Sequence, residues 1–348
     1  MSDLTQFDHY LSDDGPAALV IREHLVPVEG PDGVIFPSTY AAGDGFAGGY
    51  NINDYPDGTN VCLIDSVGSQ ANRIEPIFKE EKYQHLVPQV AVKAGEKEVS
   101  ILEAGHRAGD AIVRCSELEA PLSDAFKAAL KGDVEPLARI APTSMVFGVW
   151  DSRDTQAKLP RLVSSTIRAY NVRKLTRSAQ YVPAVEYVAT ELLPEPADEK
   201  TRKTYSERGF IHVPATGSPG GVMATGGIRR DAILSLAALK LLVAKDKEKT
   251  LALRRYILGL ALTAFTSQQT CYLRQGCLLV LDPEKPREFS EVLPSGIRTP
   301  ANLTHQQALD YATVTAKAFC VKEPLVVAFD PKRAKADLEK AKKTKKPE

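Results

Sequence analysis

Six basic residues stand between Asp154 and Glu186 without one acid among them: Lys158, Arg161, Arg168, Arg173, Lys174 and Arg177. Tyr170 and Tyr181 are interleaved with them, as are Ser164, Ser165, Thr166, Asn171 and Gln180. Guanidinium forks, hydroxyls and amides hold phosphates and sugars, and aromatic or arginine planes stack on unpaired bases. A stretch combining both suits single-stranded nucleic acid. The plainer alternative is a solvated strand pair that happens to lack acids, but in a chain of zero net charge such a run is unusual.

Two further clusters carry related chemistry. Ser69-Gln70-Ala71-Asn72-Arg73 falls at an expected helix start, where free N–H groups meet anions and Arg73 adds charge. Gly220-Gly221 and Gly226-Gly227 precede Arg229 and Arg230, and glycine lets a backbone approach a phosphate closely. With a helix expected from Arg229, that segment reads as a phosphate loop or, alternatively, as a glycine-rich hairpin. It is neither a P-loop nor a dinucleotide fingerprint. Asp151 and Asp154 in WDSRD would hold a divalent metal if they converged, which leaves a metal-dependent ribonuclease as a rival reading. Five cysteines without C-x-x-C, and six dispersed histidines, point to neither a disulfide framework nor a metal site. Cys271 and Cys277 are expected in or beside buried strands. No cofactor is expected.

The elements that must position these residues follow from pattern. Strands are expected at Ala18–Val28, Asn60–Asp65, Lys97–Leu102, Ser144–Trp150, Leu162–Val172, Leu175–Val188 and Gly276–Asp282. Helices are expected at Gln70–Tyr83 with Ser66 or Ser69 as cap, within 105–140, and at Arg229–Ala244, Glu248–Phe265 and Thr304–Phe319. Gly43–Gly58 reads as loop and Pro194–Arg208 as an exposed insertion. Irregular alternation of strands and helices predicts an α+β fold around an antiparallel sheet.

The 348 residues, 43% hydrophobic and 25% charged, suit a folded soluble chain. No apolar run reaches bilayer length and no signal core follows the acidic N-terminus, so a cytoplasmic protein without membrane contact is expected. Residues 1–60 hold ten acids against one base, leaving the rest of the chain basic, an arrangement that would suit the acidic part of one copy facing the basic surface of the next. The tail 331–346 has eight bases and reads as a frayed helix or a solvated segment.

Three blocks, GTNVCLIDSVGSQANRIE at Gly58–Glu75, PRLVSSTIRAYNVRKLTRSAQYV at Pro160–Val182 and PGGVMATGGIRRDAILSLAAL at Pro219–Leu239, together with VFGVWDSRD, resemble the backbone subunit of the type I-G (formerly I-U) CRISPR Cascade effector complex. That family belongs to the RAMP superfamily. The resemblance implies one RAMP-type domain over 1–330, a ferredoxin-like (RRM-like) palm with inserted helical fingers and a thumb hairpin. The insertions fall at roughly 66–140, helical, and 190–228, loop or hairpin, with the 190–215 part open to palm, fingers or thumb, and the basic tail 331–348 follows. It implies a non-enzymatic subunit that polymerises along CRISPR RNA and presents the guide to a target DNA strand. The partners it implies are neighbouring copies, a RAMP-type cap or processing subunit, a large subunit and a recruited helicase-nuclease. A guide filament must accept any sequence, which favours phosphate, sugar and stacking contacts. Lys158, Arg161, Ser165, Arg168, Tyr170, Arg173, Lys174 and Arg177 suit that task, as do Gln70, Asn72, Arg73, Gly221, Arg229 and Arg230. A general single-strand-binding protein is the remaining rival.

Overall fold

The computed structural model describes residues 3–344, without the side chains of 178–180, 214–216, 218 and 340–344. Seven strands matter for the site: β1 (Ala18–Pro27), β2 (Asn60–Asp65), β3 (Val163–Tyr170), β4 (Val172–Tyr181), β5 (Val213–Ala224), β6 (Ile228–Ser235) and β7 (Cys277–Leu281). The helices used below are α1 (Val67–Ile74), α2 (Glu119–Leu130), α3 (Glu199–Glu207), α4 (Lys247–Thr266), α5 (His305–Phe319) and α6 (Pro331–Thr344).

The main sheet runs β7-β1-β6-β3-β2, antiparallel at every step. Taking β1, β3, β6 and β7 as first to fourth, the order is 4-1-3-2, that of a ferredoxin-like split βαβ unit. The expected α+β architecture is therefore present. The crossover from β1 to β3 carries β2, α1, α2 and several short helices, and the β3-to-β6 connection opens into the β4–β5 hairpin.

Strict alternation builds the sheet. Along β1 the half-buried and buried positions alternate without a break from Ala18 to Pro27. Leu19 and Ile21, with Val163, Ala232 and Leu234, join α4 and α5 in one core. Every residue of α4 from Tyr256 to Thr266 is buried, which fits a helix wedged between the sheet and α5. Gly259 permits that wedge, since a Cβ there would stand 2.8 Å from Ala312 Cα. A second core gathers Leu25, Ile167 and Ile228 with Cys62, Tyr50 and Val222 toward the hairpin. Thr304 starts α5 through a reciprocal capping box with Gln307, the cap that the sequence predicts.

Several expectations are corrected. The segment Arg229–Ala244 is not one helix: it is the central strand β6 followed by a short helix at Leu236–Leu239. Its apolar residues fit either period, and pairing on both edges, with β1 and β3, decides for strand. Ser144–Trp150 is not a strand throughout, because Thr143–Phe147 is helical and Gly148, at φ +78°, ends the turn. The helix after β2 stops at Ile74, with Pro76 in the 3-10 turn Glu75–Lys79 that follows, and its cap is Ser66. The strand expected at Leu175–Val188 is β4, which starts at Val172 and ends at Tyr181. Gly43–Gly58 contains the short strands Gly49–Tyr50 and Ile52–Asp54, and Lys97–Leu102 is strand only to Ser100. Pro194–Arg208 is exposed as expected, with α3 inside it. Cys277 is buried but Cys271 is exposed. The tail forms α6, tied down by Arg333 to Ser116 O and Glu119 and by Asp337 to Arg153. Lys345 and Lys346 lie outside the described residues.

Candidate nucleic-acid interface

Alternation sends every second side chain of the sheet away from the helices. On β1 these are Arg22 and His24, on β6 Arg229 and Asp231, and on β3 Thr166, Arg168 and Tyr170. Strand register sets them in rows. His24, Arg229 and Arg168 lie opposite one another across three strands, and Arg22, Asp231 and Thr166 form the next row. Two arginines placed directly opposite in a sheet repel unless an anion answers them. Asp231 answers Arg229, accepting from its Nε at 2.8 Å, and also accepts from Arg22 Nε at 3.1 Å. Arg229 further donates to the Tyr170 hydroxyl at 2.8 Å and lies over that ring. Arg168 has only the Thr166 hydroxyl, at 2.7 Å, and no carboxylate among the described residues.

From Arg168 the chain turns through Asn171, at φ +49°, into β4, where Arg173, Lys174 and Arg177 are exposed. None of the three has an acidic partner among the described residues, and Arg177 rests over the Phe36 ring. Lys158 is exposed as well. Arg161 is exposed and donates to Val67 O at 3.1 Å, beside the start of α1. Desolvation by the surrounding protein and the neighbouring Arg107 charge hold its pKa below the usual guanidinium value. Positive groups without carboxylates thus continue from the open sheet face onto the hairpin, an arrangement that can pair with successive phosphates.

The other predicted residues belong elsewhere. Asp65, 1% exposed, is the acceptor of a buried network. It takes hydrogen bonds from Gln70 Nε2 at 2.7 Å, Arg73 Nε at 3.2 Å and Arg274 Nη2 at 2.7 Å. Arg73 also donates to Leu273 O at 2.7 Å. Ser165, buried, donates to Gln70 Oε1 at 2.8 Å. Gln70, Arg73 and Ser165 therefore join α1 to the sheet and the strand end at Leu273 and are not a free phosphate cradle; Asn72 alone of that cluster is exposed. Arg230, 3% exposed, points to the helix side of the sheet, where its Nε donates to Glu23 at 2.6 Å. The one-residue offset from Arg229 decides that difference.

Gly221 is a packing glycine. Its φ is +95°, a Cβ would stand 2.5 Å from Val34 Cγ1, and its N–H donates to the Tyr50 hydroxyl at 2.9 Å. With that donor used and β6 in place of a helix, the phosphate-loop reading of Gly220–Arg230 fails and the hairpin alternative holds.

Asp151 and Asp154 do converge, on Arg114, whose Nη2 lies 3.3 Å from each. Asp151 also accepts from Thr155 N at 3.0 Å and Oγ1 at 2.8 Å, and Ser123 donates to Asp154 at 2.6 Å. That hydrogen bond and Arg114 hold the Asp154 carboxyl below its ordinary pKa. The positive charge a metal would bring is already supplied by a guanidinium. No group of three or more potential metal ligands occurs among the described residues, and no helix there is long and apolar enough to cross a membrane.

Sequence reasoning missed Arg22 and His24 on the open face, and Arg274 and Arg287 behind it. Alternation along β1 was a usable signal for the first pair; nothing local marks the second. No curated protein matches the chain. Residues 19–174, from β1 to the start of β4 and less than half of the chain, match the family model described as CRISPR-associated protein GSU0053.

Proposed function

We propose that the chain binds CRISPR RNA as a backbone subunit of a type I-G Cascade complex, several copies sharing one guide. The observation that carries this is the run of basic side chains without carboxylates, Arg168 on β3 followed by Arg173, Lys174 and Arg177 on β4. Contacts of that kind are to phosphate and are indifferent to sequence, as a guide with a variable spacer requires. The match over residues 19–174 supports the CRISPR context. The chain's part is to hold and space the guide, leaving base edges free for a target DNA strand, and Arg114 between Asp151 and Asp154 argues for no catalytic step there.

The test is co-expression with the neighbouring genes and a CRISPR array, followed by purification and sequencing of bound RNA. A discrete RNA with repeat-derived ends and several protein copies per molecule is expected. Heterogeneous cellular RNA would replace the proposal with a general single-strand binder. Absence of RNA would overturn it.

A further inference from the structure

A polar layer divides the helix-side face of the sheet. On β1 the inward residues run Ile21, Glu23, Leu25; in register with them stand Ala232, Arg230, Ile228 on β6 and Ser165, Ile167, Ala169 on β3. Glu23 and Arg230 meet in the middle row and Ser165 lies diagonally beside Arg230; all three are buried, and they fall between the two hydrophobic cores. Burying an ion pair costs more than filling the same space with apolar side chains, so its presence calls for a reason.

The layer opens into a cavity of about 470 Å³ between the sheet and the segment after α4. Its floor is aliphatic, with Leu25, Ile167 and Leu279. Its rim is the run Ser267 to Thr270, rich in amides and hydroxyls. The charges do not cancel: Arg230 and Arg287 share the single carboxylate of Glu23, at 2.6 and 3.0 Å, leaving one positive charge. Arg230 Nε goes to Glu23 and Nη1 to Ser165, and Nη2 has no protein partner among the described residues. Gln268 likewise makes no side-chain hydrogen bond there. His305 adds no charge at neutral pH: burial lowers its pKa, and its two ring nitrogens face Thr266 and Tyr83 hydroxyls.

We propose that this cavity binds a single nucleotide unit, base on the aliphatic floor and phosphate toward Arg287 and Arg230. The volume lies within the range of small-ligand sites and is too large for a bare anion. The aliphatic floor disfavours a ligand that is polar throughout. The free amide of Gln268 can meet a base edge, and guanidinium forks match phosphate. Two sources present this chemistry, a free nucleoside monophosphate and a nucleotide turned out of a bound strand. The inference stands apart from the guide-binding reading.

Cys271 lies on the cavity wall and is exposed, which makes it a reporter. In the full chain carrying Cys320→Ser, the rate of Cys271 alkylation is followed with uridine or adenosine 5′-monophosphate, with inorganic phosphate, and with a short single-stranded RNA or its abasic counterpart. Protection by the monophosphates, or by the RNA but not the abasic strand, supports the site and separates the two sources. Arg287→Gln and Gln268→Ala, both outside the sheet's core, should each raise the half-protecting concentration about tenfold, the scale of one lost charged or amide contact. Equal protection by phosphate, or none by any nucleotide while the RNA binds in a gel shift, overturns the proposal. Protection by free monophosphates with no RNA binding would sink the guide reading and leave this site standing.

Discussion

Arg168→Gln, Arg173→Gln and Arg177→Gln combined should change the salt dependence of RNA binding more than any other aspect of the protein. The three side chains have no carboxylate partner among the described residues, so the folded state loses no ion pair with them. If each neutralises one phosphate, each contributes about 0.7 to the slope of log K against log salt for a single strand, and the triple variant flattens that slope by about 2. Over a fourfold rise in salt the wild type then loses about 20-fold more affinity than the variant does. The assay is fluorescence anisotropy with a short RNA at several salt concentrations, with urea unfolding to establish that stability is kept. Arg274→Gln is the contrasting variant: its guanidinium is held by Asp65 and Ile64 O, so stability should fall with the slope unchanged. A triple variant with the wild-type slope would refute the assignment of this strip to phosphate, whatever its affinity at one salt concentration.

Other outcomes follow from the buried groups. Asp65→Ala leaves Arg73 and Arg274 facing a site without an anion, and should cost about 3–5 kcal/mol in urea unfolding. Glu75, 1% exposed beside Arg107, has its pKa pushed up to about 7 by burial, which outweighs the pull of the guanidinium. A folded-state pKa above the unfolded value gives stability that is whole below the unfolded pKa, near 4.5, and lost as pH rises through about 7. Unfolding free energy should therefore fall across that window by up to about 3 kcal/mol, and Glu75→Gln should flatten the fall; a pH-independent difference between the two proteins would contradict it. Thr304→Ala removes the capping box of α5 and should lower stability by about 1 kcal/mol, read as a shift in urea midpoint.

How much was legible depended on whether the deciding force was local. β1, β2 and α5 were readable because alternation, a compact β-branched run and a Thr-x-x-Gln cap each act within a few residues. Arg229–Ala244 was not, since Ile228, Ala232 and Leu236 recur at the four-residue spacing of a helix, while Ile228, Ala232 and Leu234 fit the alternation of a strand equally well. What settles β6 is hydrogen bonding to β1 and β3, which lie far away in sequence. The same error carried the glycine segment into a phosphate-loop reading, because that reading needed a helix to follow. The basic stretch was legible as a composition, and its division was not: Ser165 and Arg168 are three residues apart, and only their strand phase puts one inside and the other on the open face.

That division sorts the arginines by the company they keep. Arg73, Arg274, Arg229 and Arg114 each sit against a carboxylate, and their charge is spent within the fold. Arg168, Arg173 and Arg177 have none among the described residues, and their charge is directed outward. Counting bases in a segment cannot tell these apart, and a zero net charge conceals it entirely. Arg229 shows the consequence most clearly. It stands opposite Arg168 in the register, and only because Asp231 and Tyr170 hold it can two guanidinium groups occupy neighbouring strands. Asp231→Asn should therefore leave both arginines competing for the same anion: RNA should bind more tightly at low salt and with a steeper salt slope, while the RNA-free protein loses stability. A variant that bound RNA with unchanged slope would mean that no phosphate reaches this row of the sheet, and would confine the interface to the hairpin.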